Sequence, residues 1–113
     1  MSRFAATEFV ERWRKLSLME QLGNVGSEVE RAIHWRARGN SDFQTRAFDR
    51  SLELLDLTLS DPRWKGSTLK EVARAREVVC DAFMGDNIYD ATPEFLRKYF
   101  YAFALRARRI SGR

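Results

Sequence analysis

Acid-base, nucleophilic and metal chemistry each need particular side chains, and this chain of 113 residues has His34 as its one histidine and Cys80 as its one cysteine. At about 100° per residue, His34 falls about 160° round its helix from Leu18, opposite the apolar stripe and one turn after Glu30. That is the position of a surface histidine, not of a base in a cleft. A serine or cysteine nucleophile would need hydrogen-bond contact with His34, whereas Cys80 lies on an apolar helix face, where a small inert thiol is the expectation. One cysteine and one histidine do not supply the usual zinc ligands. Glu-x-x-His pairs of the kind that bridge metals inside bundles are absent too, because Arg31 stands three residues before His34. Gly23-Asn24-Val25-Gly26 follows no strand and leads into no Gly-Lys-Ser/Thr, so it does not read as a phosphate loop. No catalytic residue, metal ligand or cofactor is assigned.

Three groups of residues stand out for other reasons. Arg76 falls at about 340° when Leu69 is taken as zero, inside an otherwise apolar face. A guanidinium there must be paired or must snorkel, with Asp56 or Glu28 as the leading acid partner, and the same place is a candidate ligand pocket. Asp86, Asn87 and Tyr89 lie in a loop that mixes turn formers with large side chains, a second candidate site. On the last helix Phe95, Leu96, Tyr99, Phe100 and Phe103 supply a core face. Tyr101 and Leu105 fall on the other side, at about 240° and 280° from Phe95, as candidates for contact with another surface.

These residues are positioned by helices, since apolar residues recur at helical spacing nearly throughout and no stretch alternates as a strand does. A short amphipathic helix is predicted within residues 4–16. Ser17 and Glu20 form a capping box that opens a helix over 17–38, with Gly39 as its stop. Its stripe is Leu18, Leu22, Val25, Val29, Ala32 and Ile33. Gly23 and Gly26 interrupt it and predict a bend or a close helix approach. A second capping box, Ser41 to Gln44, opens a helix over 41–60 that stops at Asp61-Pro62. Its apolar residues cover roughly 220° of the wheel, which calls for neighbours on two sides. Trp64 is expected to fold back over one end of the core. Thr68 and Glu71 open a helix over 68–84, buried through Leu69, Val72, Ala73, Val79, Cys80 and Phe83. Thr92 caps a last helix over 93–110 with Pro93 in its first position. Short connections place such helices side by side. The fold expected is all-α: an antiparallel up-down four-helix bundle with a short additional N-terminal helix, forming a single domain over residues 1–113.

Composition agrees with a packed helical domain: 44% of the residues are apolar, 32% charged, and there are only 6 Gly and 2 Pro. Twenty basic residues, of which 16 are Arg, stand against 16 acidic ones, a net charge of +4. That is a mild bias, with Arg106, Arg108, Arg109 and Arg113 giving the last helix a basic end that complements its dipole. Nucleic acid is therefore a possible partner without being favoured, since no aromatics are interleaved there. Lone Cys80 fits a reducing compartment. The opening residues form no signal or transit segment, and no window is apolar enough to span a membrane, so a cytoplasmic protein is expected.

The succession of capped helices over residues 21–108, with Ala, Leu and aromatic stripes and an Asp61-Pro62 connection, resembles the small helical bundle domains of bacteria and archaea. In layout it is most similar to HEPN-type domains, which are often encoded beside nucleotidyltransferase or toxin-system partners. Ribonucleases of that family place an Arg shortly before a His on a late helix, a motif missing here, since Arg31 and His34 are on an early helix. Two function classes follow. One is a non-catalytic protein-interaction or scaffold module acting as a helical homo-oligomer, with a homodimer as its simplest form. The alternative implied by the resemblance is a HEPN-like nucleic-acid-directed protein, an accessory or ribonuclease-related component of a toxin or defence system. The first is preferred because no complete reaction centre is present in the sequence.

Overall fold

The computed structural model describes residues 7–85 and 91–111, with side chains as far as Arg109. Within them the chain forms five helices and no strand: α1 (Thr7–Trp13), α2 (Leu18–Ala37), α3 (Ser41–Leu59), α4 (Gly66–Phe83) and α5 (Pro93–Ser111). The middle of the fold is α2, which packs along both α3 and α5. The wide apolar arc of α3 meets α2, α4 and α1.

The start of α2 follows local rules. Ser17 Oγ accepts from Glu20 N at 3.1 Å and Glu20 Oε1 accepts from Ser17 N at 2.9 Å, the reciprocal capping box its sequence calls for. Its stripe is buried in full, from Leu18 through Leu22, Val25, Val29 and Ala32 to Ile33. At the other end Gly39, at φ 72°, is in the left-handed region that favours glycine. Gly39 N then donates to Arg36 O at 3.1 Å and Asn40 N to Trp35 O at 3.0 Å, a Schellman ending.

Two predicted helix starts are corrected. The cap of α3 is Asn40, whose Oδ1 accepts from Phe43 N at 3.0 Å, and Ser41 is already helical. Asn and Ser cap about equally well. The Schellman turn decides between them, because it leaves Asn40 extended directly after Gly39. Helix α4 begins ahead of Thr68, at Gly66, with Lys65 at the cap position and no side-chain capping bond. Thr92 does cap α5, accepting from Phe95 N at 3.1 Å, and Pro93 takes the first helical position.

The buried face of α4 is also rotated from the expected one. Val72, Ala75, Val78 and Val79 are buried, whereas Leu69, Ala73, Cys80 and Phe83 are only half-buried. On α5 the core residues are Leu96, Phe100, Phe103 and Ala107, and Phe95, expected in that face, is 39% exposed. Phe95 lies about 110° from the centre of the stripe those four define, which explains its exposure.

Candidate functional site

Four places in this fold collect polar or exposed apolar groups, and their surroundings separate the structural ones from those open to a ligand or partner.

The most enclosed is the end of the core where α1, the start of α2 and the 60–65 connection meet. Trp64 does close this end, and its indole Nε1 donates to Gln21 Oε1 at 2.9 Å. The Gln21 amide donates to Trp13 O at 2.9 Å and to Asp61 Oδ2 at 3.1 Å. Trp13 Nε1 donates to Thr58 Oγ1 at 3.1 Å, and Thr58 Oγ1 donates onward to Leu54 O at 2.9 Å. Asp61 accepts from Arg63 N at 3.1 Å, the pattern of an Asx turn, and from the Arg63 guanidinium, whose Nη2 is 2.7 Å from Oδ2. Arg63 Nη2 also donates to Leu16 O at 2.7 Å. Burial works to raise the Asp61 carboxyl, but the hydrogen bonds from Arg63 and Gln21 outweigh it and hold the group below the ordinary carboxylate range. Every polar atom named here has a partner, so the cluster pins chain segments together and leaves no group free for a ligand. The signal in the sequence was Gln21, a polar residue inside the stripe of Leu18, Leu22 and Val25, together with a tryptophan whose indole N–H needs an acceptor once buried.

Arg76 pairs with Asp56, Nε to Oδ1 at 2.7 Å, but at the surface: the side chains are 37% and 57% exposed. The expected burial is corrected by the rotation of α4, whose buried arc leaves Arg76 about 90° from its centre. Arg76→Met and Asp56→Ala are therefore each expected to cost less than about 1 kcal/mol, measured by urea unfolding. A loss above about 2 kcal/mol for either would show that the pair is effectively buried. Glu28 belongs to a different cluster. Its buried carboxylate accepts from Arg31 Nη1 at 2.8 Å and lies 3.4 Å from Arg50 Nε. Asp86, Asn87 and Tyr89 lie outside the described residues.

His34 is exposed, its ring edge-on to Trp35 at 4.8 Å, while Arg31, three residues earlier, is held by Glu28. Cys80 is half-buried with Arg76 Nη1 at 3.7 Å from its sulfur. Among the described residues no group of three or more His, Cys, Asp or Glu side chains is placed to hold a metal ion. No helix among them is long and apolar enough to cross a membrane.

A groove of about 560 Å³ opens between α2 and α5. Its floor is Leu22, Val29, Ile33, Leu96 and Phe100, and small residues, Gly23 and Ala104 among them, keep its mouth wide. A side chain at Gly23 would meet nothing within 4 Å, while one at Gly26 would touch Phe100 at 3.6 Å, so the glycines permit both the close approach of α5 and the hollow beside it. Glu30 and Arg97 close one rim with two hydrogen bonds of 2.8 Å. The guanidinium of Arg97 holds the Glu30 carboxyl below its ordinary range. Tyr101 lines the groove and rises from it, 68% exposed, with Leu105 one turn on at 44%. No family model, curated protein or solved structure matches this chain, so its function is read from this geometry.

Proposed function

We propose that the protein is a non-catalytic interaction module that pairs with a second copy of itself through the α2/α5 groove and the outer face of α5. The observation that carries the reading is that an apolar hollow and an exposed tyrosine lie side by side on one face. A face that holds both a knob and a hole is self-complementary: across a two-fold axis, Tyr101 of each copy enters the groove of the other. A partly apolar, hydroxyl-tipped ring is the type of side chain that anchors such contacts, and Leu105 extends the patch by one turn. The scaffold is an antiparallel up-down arrangement of α2 to α5, a reading supported by the short connections at 38–40 and 60–65. The Glu30–Arg97 pair sits at the rim, where a charge pair contributes to register more than to affinity.

The test is sedimentation of the unmodified chain at about 50 μM, above the dissociation constants near 1 μM typical of weak dimers. A dimer is expected, and Tyr101→Glu combined with Leu105→Lys should weaken it at least 100-fold while helix content is unchanged, because each substitution acts twice across the axis. A monomer in the unmodified chain would sink the reading, and an unchanged dimer in the double variant would place the contact elsewhere.

A further inference from the structure

Beyond Arg31, which also borders the α2/α5 groove, a pocket of about 250 Å³ opens between α2 and α3. Its walls are Arg31 and Trp35 from α2 and Phe43, Arg46, Ala47 and Arg50 from α3: three guanidiniums, two aromatic rings and no carboxylate. The spacing on each helix is that of one face, with Arg31 and Trp35 one turn apart and Phe43, Arg46 and Arg50 on successive turns. We propose that this pocket binds the phosphate group of a small phosphate monoester.

Three observations carry the proposal. First, the charge is incompletely answered. Glu28 serves Arg31 and Arg50 together, and Arg46 has no salt bridge among the described residues, only the Phe43 ring 5.5 Å from its guanidinium carbon. Second, Arg50 meets Glu28 only through its buried Nε, in a charge contact at 3.4 Å without hydrogen-bond geometry, so no hydrogen bond from that carboxylate ties its guanidinium down. The Arg50 side chain is 32% exposed beside the pocket, so this loosely held guanidinium has charge to offer an anion that enters. Third, the volume lies below the roughly 300–1,000 Å³ of sites for larger organic ligands, and planar guanidiniums match the oxygens of phosphate in pairs. Trp35 and Phe43, edge to face at 4.8 Å, give one wall an apolar surface on which the organic part of a monoester can rest.

Glu28 acts here as a positioning residue. Its carboxylate holds Arg31 and Arg50 from behind, and it does not line the pocket.

The experiment is a nuclear magnetic resonance titration of the full chain with inorganic phosphate and with phenyl phosphate, ionic strength being held constant with sodium chloride. Saturable shifts are expected in the amides of residues 31–35 and 43–50, with phenyl phosphate bound at least as tightly as phosphate. Arg46→Gln, at an exposed position in contact with the Phe43 ring, should weaken both ligands about tenfold or more. Lys70→Gln, an exposed cation on α4 that lines neither opening, should leave both unchanged. Absence of saturable shifts with either anion, looser binding of phenyl phosphate than of phosphate, or equal binding by Arg46→Gln would each overturn the proposal.

Discussion

Asp61→Ala is expected to destabilise the fold by about 3 kcal/mol or more, because it removes a buried carboxylate that accepts from Gln21, from Arg63 N and from the half-exposed Arg63 guanidinium, charge-assisted bonds that each contribute about 1.5–3 kcal/mol. Gln21 would lose one of its two amide contacts, and the Arg63 guanidinium would keep Leu16 O and its place over the Trp64 ring at 4.6 Å. The turn at Asp61-Pro62 would also lose the side-chain bond to Arg63 N, although Trp64 N still reaches Asp61 O at 3.1 Å. For a domain of this size such a loss corresponds to a fall of about 10–15 °C in thermal midpoint. The effect has a pH signature. The folded-state pKa of Asp61 is depressed below the unfolded value near 3.9, so its contribution is fully present above that value and is lost as pH falls through the folded pKa. The stability difference between the parent and Asp61→Ala, read by urea unfolding, should therefore be constant from about pH 6 to 8 and shrink below about pH 4. A difference below about 1 kcal/mol at pH 7, or one that grows in acid, would mean that the carboxylate does not hold this end of the core.

Among the carboxylates that face arginine in this fold, Asp61, Asp56 and Glu28 differ in what surrounds them more than in distance. Asp61–Arg63 and Asp56–Arg76 both have 2.7 Å contacts, yet the Asp61 side chain is 1% exposed and that of Asp56 57%. Desolvation sets the difference, since a surface pair exchanges one well-hydrated state for another and a buried one does not. Glu28 is buried like Asp61 but has two arginines to serve, which is why Arg50 is left with an unused donor.

What could be read from the sequence was local. The stripe of α2, the capping box at Ser17 and Glu20, the Gly39 stop and the Thr92-Pro93 start each depend on residues within one or two turns, and all are present. The outward position of Tyr101 and Leu105 follows from the wheel of α5 in the same way. Rotation of α4 could not be read so, because Leu69, Val72, Ala73, Ala75, Val78 and Val79 offer apolar material over a wide arc, and the neighbouring helix selects which part is buried. That selection moves Arg76 to the edge. The Gln21, Asp61 and Trp64 cluster joins residues some forty positions apart, for which helical periodicity gives no pairing. The arginine pocket is intermediate: its spacing is legible on α2 and on α3 separately, and only their register brings Arg31 opposite Arg46 and Arg50.

Trp13→Ala is expected to release α1 from the rest of the fold. This helix has only seven residues, too few to be stable alone, so its order depends on what it is packed against. Trp13 is its one buried residue, stacked with Phe9 at 6.2 Å, bonded through Nε1 to Thr58 and offering its carbonyl to Gln21. Truncating a buried tryptophan costs about 3–5 kcal/mol, and a short segment held mainly by that residue, with Phe9 half-buried beside it, can respond by undocking instead of leaving a cavity. Thr58 Oγ1 would remain satisfied through its own bond to Leu54 O, so α3 should be little disturbed. Hydrogen exchange should then show residues 7–13 exchanging as fast as an unstructured chain while the middles of α2 and α3 stay protected. Trp13→Phe, which retains most of the apolar contact and loses the indole N–H, should cost about 1 kcal/mol and keep α1 docked. The two large effects should not add: with α1 undocked the Trp13 carbonyl no longer holds Gln21, so Asp61→Ala in the Trp13→Ala background should cost less than it does alone. Full additivity of the two substitutions would separate α1 from the Asp61 cluster and leave Trp13 as a packing residue only.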